Sequence, residues 1–199
     1  MHKIIFAAVL VLMAMSLAFG QKNEIEFNDG SQIDLFTGRT EVELSADFVG
    51  ALGSLQIAPN SVFPARLKRG TVTFPITDAT LETATLKGEI IHSGGLTLTK
   101  KGTVVKLKSF IIDTTGESII LTGLVSANGQ VVGRIPLFDL QLTSNLGPIS
   151  IFRSVSLSNV LVTLRPEAAE ALNAVFETEA FVAGFDIGVA NVRGFGFRG

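Results

Sequence analysis

Apolar and polar residues alternate along most of this chain, in short runs separated by glycine-bearing turns. Val72, Phe74 and Ile76 alternate with Thr71, Thr73 and Pro75, and Leu96 and Leu98 alternate with Thr97 and Thr99. Val105, Leu107 and Ile111 lie opposite Lys106 and Lys108. A period of two is that of a strand with one buried face, and a wet opposite face is characteristic of antiparallel sheets. Lys100-Lys101-Gly102 predicts a turn between two such strands. Ala127-Asn128-Gly129 predicts another, joining a strand over Ser118 to Ser126 with one over Gln130 to Leu142, because Asn-Gly accepts the left-handed angles of a tight hairpin. Asn28-Asp29-Gly30-Ser31 separates two further short alternating segments, Val155 to Leu164 reads as a strand, and Phe185, Ile187 and Val189 alternate in a last one. Pro75 lacks an N–H, which predicts an edge strand or a strand end there.

Two segments change period from two to that of a helix, and they match each other. Val42 to Leu52 aligns with Val162 to Leu172, with four of eleven pairs identical. In each, a strand end runs directly into a short helix. Ser45 is a capping residue for the first, and Pro166 suits the first position of the second. Asp47 and Glu167 then place a carboxylate near the positive end of each helix. The apolar faces are predicted as Phe48, Ala51, Leu52 and Leu55, and as Ala168, Ala171, Leu172 and Val175. The match raises the idea of two related half-domains. The resulting fold expectation is mainly β: an antiparallel β-sandwich with two short α-helices.

The N-terminus changes where such a domain should act. His2 and Lys3 precede an almost unbroken apolar run from Ile4 to Leu17, and Ala18-Phe19-Gly20 supplies small residues at the two positions a signal peptidase reads. The run is short for a membrane span and is followed at once by Lys22, Glu24 and Glu26. Residues 1–20 are therefore read as a signal peptide and 21–199 as a single domain, large enough for a sizeable core. The expected location is secreted, periplasmic or in the cell envelope, with no integral membrane segment after cleavage. Loss of Lys3 leaves 15 basic against 18 acidic residues, about −3. That balance offers no footprint for nucleic acid; Arg66-Leu67-Lys68-Arg69 is read as a solvated turn. With no Cys there are no disulfides, so stability rests on burial, including that of the 15 Phe.

Composition also narrows the chemistry. The chain has no Cys, Trp or Tyr, and His2 leaves with the leader, so His92 is the one group that titrates near neutral pH. Thiol chemistry and multi-histidine metal cages are excluded. The terminal Gly194-Phe195-Gly196-Phe197-Arg198-Gly199 spells a dinucleotide fingerprint, but no helix follows it. Glu24, Asp29 and Asp34 lack the ordered spacing of a calcium loop. Paired carboxylates for hydrolysis are defined by spatial separation, and the sequence nominates no pair. No catalytic residue and no metal ligand is expected.

The block Leu86-Lys87-Gly88-Glu89-Ile90-Ile91-His92-Ser93-Gly94-Gly95-Leu96-Thr97-Leu98 follows Thr71 to Ile76, and Val160 to Leu164, an Ala-rich helix and Phe181-Val182-Ala183-Gly184 come later. This order, over roughly Gly70 to Val192, resembles the HtaA-like family of exported bacterial domains, closest to a branch with Phe-Pro-Ile and His-Ser-Gly-Gly-Leu blocks. The resemblance implies a secreted β-rich domain. The best-known members bind haem with a Tyr ligand supported by a His; only the His carries over, as His92, because the chain has no Tyr. A structural role for His92 is the other expectation: bonding to backbone groups of the turn, with Gly94 and Gly95 adopting angles closed to other residues. The leading functional expectation is a non-enzymatic domain, without cofactor, that binds an envelope or extracellular partner. The alternative is haem or another small apolar ligand held between sheet and helices near His92, and a further one is a carboxylate-dependent hydrolase.

Overall fold

The alternation produces eleven strands and two helices in a computed structural model that describes residues 32–143 and 154–198. The strands are β1 (Gln32–Leu44), β2 (Ala58–Val62), β3 (Arg66–Lys68), β4 (Thr71–Glu82), β5 (Gly88–His92), β6 (Gly95–Lys100), β7 (Thr103–Asp113), β8 (Ile119–Ala127), β9 (Gln130–Leu142), β10 (Ser154–Leu164) and β11 (Asp186–Arg198). Helix α1 (Ala46–Ser54) follows β1, and α2 (Pro166–Phe176) follows β10. The leader and the Asn28 to Ser31 turn lie outside the described residues. Both expected hairpins form: Lys101 with Gly102, and Asn128 with Gly129, take positive φ at the tips, and the Asn128 side chain accepts from the Val104 N–H at 2.8 Å.

The sheet is a closed barrel, not a sandwich. In the order β1, β4, β5, β7, β8, β9, β10, β11, each strand pairs antiparallel with the next, and β11 returns to β1. A period of two says which face is buried; it is identical for a sandwich and a barrel and does not say whether the first and last strands meet. Here they do: Thr40 pairs with Val192 and Leu44 with Gly188. Pro75 is likewise neither on an edge nor at a strand end. It lies in mid-strand where β4 exchanges one neighbour for another, β3 ending at Thr73 and β5 beginning at Ile76, so the missing N–H falls in the gap.

β1 and β10 flank β11 and are both antiparallel to it, so α1 and α2 leave from the same end of the barrel and close it. Ser45 caps α1 by accepting from the Phe48 N–H at 3.0 Å, while its hydroxyl donates to the Asp186 carbonyl at 2.8 Å. Pro166 takes the first turn of α2. Phe48 and Leu52 of α1 are buried as expected. On α2 the buried residues are Ala168, Ala169 and Phe176, and Leu172 is only partly covered, so that helix is rotated relative to the expected face. The two strand–helix units are real local likenesses, but the strands between them do not repeat.

Candidate functional site

His92 sits where the barrel wall forks. β5 and β6 are successive parts of one strand, since both pair with the same side of β7: Ile91 with Ile111, then Gly95 with Lys108. On their other side β4 stays with β5 only as far as His92, which pairs with Ile76. Beyond that point the hairpin of β2 and β3 is inserted, β2 pairing with β6 and β3 with β4. The eight-stranded wall thereby widens toward the end that carries the helices.

The His-Ser-Gly-Gly block is what permits the fork. Gly94 has φ +84°, and a Cβ there would lie 2.4 Å from the Ala65 N and 2.9 Å from the Val62 carbonyl, the tip of the inserted hairpin. Gly95 has no unusual φ; its need is space, because a Cβ would meet the Leu107 carbonyl at 2.1 Å. Of the two glycines, only Gly94 therefore fits the expectation about backbone angles. The Ser93 N–H donates to the Pro75 carbonyl.

The His92 side chain turns into the barrel and is 3 % exposed. Its Nε2 lies 2.7 Å from the Thr40 hydroxyl of β1, across β4, and Thr40 is equally buried. The bond expected to the turn backbone is thus made to a side chain instead. Nδ1 is buried without a hydrogen-bond partner. Burial pushes the imidazole down to about 4; the Phe110 and Ile90 carbonyls near the ring oppose this only partly, and neither is positioned as an acceptor for Nδ1. The ring is neutral at pH 7.

Around this pair the interior is apolar. His92 and Thr40 border a lumen of about 90 Å³ whose walls include Val72, Phe74, Leu98, Val162 and Ala190, with Phe48 reaching in from α1. A second apolar chamber of about 180 Å³ lies beneath α2. Leu107, Phe138, Leu164 and Leu172 border both and form the partition between them. An eight-stranded barrel has an interior just wide enough to be filled by side chains or to hold one small ligand.

Other candidate chemistry is not brought together. Among the described residues no group of His, Asp and Glu forms a metal site. Asp34 accepts from the Thr80 hydroxyl at 2.8 Å, while Glu24 and Asp29 lie outside the described residues. Asp139 and Glu167 share Arg165 on the surface. The Glu167 carboxyl is held below its usual range by its own backbone N–H and by Arg165, the wrong direction for a general acid.

These features define a closed antiparallel barrel capped by two helices, and solved structures share it. The fold matches the C-terminal domain of HtaA from Corynebacterium glutamicum at TM-score 0.64 and 13 % identity, covering 84 % of this chain and 99 % of that domain. It matches the N-terminal domain of the same HtaA at 0.62 and 14 %, covering 81 % and 97 %. The heme binding protein HtaB from Corynebacterium glutamicum follows at 0.59 and 8 %, covering 84 % and 97 %. At these identities the likeness is one of fold. No protein-family model and no curated protein matches the chain.

Proposed function

We propose that the chain is an exported, non-enzymatic binding domain that takes a small apolar ligand into the barrel interior beside His92. The observation that carries this reading is the lumen itself: an apolar cavity of about 90 Å³ separated by side chains from a second one, in a barrel closed at one end by α1 and α2. Empty space in a core costs stability, about 24 cal/mol per Å³ in large-to-small series, so a lumen of this size is expensive unless it is used. An engineered apolar cavity of about 150 Å³ stays dry and binds benzene, which sets the scale of ligand. The apolar leader supports export, and the mature N-terminus is then Gln21.

Haem does not fit this site. The chain has no Tyr, His92 is enclosed and bonded to Thr40, and ligand pockets of cofactor size run to about 300–1,000 Å³. The test uses toluene as a neutral probe and hemin as the competitor reading. Saturating toluene should raise the unfolding midpoint, as any ligand of the folded state does. Ala190→Leu, which fills the lumen wall, should abolish that rise. Hemin should give no Soret band that depends on His92. A toluene effect that persists in Ala190→Leu, or tight hemin binding lost in His92→Ala, overturns the reading.

A further inference from the structure

Among the described residues, β2 and β3 are neighbours in the barrel wall that no ladder joins. The two strands leave one turn, closed by the Ala65 N–H donating to the Val62 carbonyl, yet no ladder joins them; β2 pairs only with β6 and β3 only with β4. Facing strand edges without partners are a weak line in a sheet. The lining of the lumen includes Val72 and Phe74 of β4 and Leu96 and Leu98 of β6, the strands that the hairpin separates. Residues opposite one another in a ladder share a face. Leu67 therefore points inward with Val72, and Ser61 with Leu96, yet Ser61 is exposed to solvent.

The outer lip has a different character. Arg66 and Lys68, opposite Thr73 and Thr71, face outward and are exposed, and Arg69 follows at the turn. Among the described residues none of the three has an ion-pair partner, whereas Glu41 on β1 is taken by Arg39. The nearest other carboxylate by register, Glu43, is two strands away across β4. Phe63, at the tip of the same hairpin, is 88 % exposed. An apolar chamber behind a seam with free cations on its rim is the arrangement that holds an amphiphile, tail inside and anionic head at the mouth.

We propose that the β2–β3 seam is the entrance to the lumen and that its ligand is a short-chain amphiphile with an anionic head, a carboxylate or similar group, held by Arg66 and Lys68. This rests on the reading of the lumen as a ligand site and names the ligand class for it. Calorimetry on the mature chain with octanoate and octanol tests the head group. Octanoate should bind more tightly than octanol and weaken with added salt. The double substitution Arg66→Glu and Lys68→Glu should cost octanoate about tenfold or more in affinity while leaving octanol within about twofold. Ser61→Trp, which plugs the inner lip, should slow association of both.

Equal binding of octanoate and octanol in both proteins overturns the anionic head, with the apolar lumen still standing. Unchanged association rates in Ser61→Trp overturn the seam as the route. Flotation of the chain with anionic phosphatidylglycerol vesicles, lost in the charge-reversed protein, together with no octanoate binding, would assign the cations to a bilayer surface instead. Failure of toluene, octanol and octanoate alike defeats the lumen reading itself rather than this one.

Discussion

The buried imidazole makes folding stability depend on pH below its ordinary value of 6.5. In the unfolded chain His92 takes up a proton near its ordinary value of 6.5; in the folded barrel burial lowers this to about 4. Between those values the unfolded state binds more protons, so stability falls as pH falls. The contribution is intact above pH 6.5 and is lost progressively toward pH 4, with a limiting slope of about 1.4 kcal/mol per pH unit. The full difference is about 3 kcal/mol, a large share of a typical domain's stability. The assay is urea denaturation of the wild type and of His92→Gln, a neutral replacement of similar polarity, at pH 7.0 and pH 4.0. The quantity of interest is the extra loss in the wild type, because acidic groups such as Asp113 and Glu167, whose carboxyls lie below their usual range, titrate in both proteins. The wild type should lose about 3 kcal/mol more than the variant on acidification. Parallel losses would refute the reasoning and mean that His92 gains its proton in the folded state at little cost.

The other predictions concern packing. Leu52, 2 % exposed at the base of α1, should cost about 2–5 kcal/mol when truncated to Ala, read as a shift in denaturation midpoint at constant slope. Leu172→Ala should cost less, under about 2 kcal/mol, because the side chain is only partly covered; as it also removes part of the partition between the chambers, it should raise calorimetric affinity for toluene. Gly94→Ala should cost well over the roughly 1–2 kcal/mol that a left-handed angle alone imposes. Gly102→Ala is its control, having φ +89° but open space around the added methyl; equal losses in thermal or chemical denaturation would remove the fork from the explanation.

What the sequence made legible is local. The alternation in β4, β6 and the first half of β7, the two hairpin tips and both helix starts follow from neighbours a few residues apart, and they appear in the fold where the pattern puts them. What it concealed are the interruptions. In β7 the alternation predicts Ile111 on the same face as Val105 and Leu107, but Ser109 has φ +53° and the register shifts, so Phe110 and Ile112 are buried instead. In β1 a register shift between Leu35 and Thr37 changes the inward residues from Ile33 and Leu35 to Thr40. That bulge is why the partner of His92 was not identifiable: without it, alternation directs Thr40 to solvent. A bulge costs one residue and leaves no sequence signature beyond its neighbours, yet it re-aims every side chain that follows.

A fold can persist while the chemistry inside it changes. The glycines of the His-Ser-Gly-Gly block answer to backbone contacts with Ala65, Val62 and Leu107, and those contacts exist whether or not a ligand is bound. His92 itself is tied to Thr40 and to the pairing of β5 with β4, so its place in the barrel is fixed by packing first. A motif of this kind is evidence of the fork, and of the widened, helix-capped interior the fork creates. It is not by itself evidence of what fills that interior. The filling is decided by residues that the fork does not constrain: the apolar walls, the partition at Leu172, and the cations along the hairpin. The walls and the partition also belong to the core, so of these it is the exposed cations at which substitution should change binding with little effect on folding.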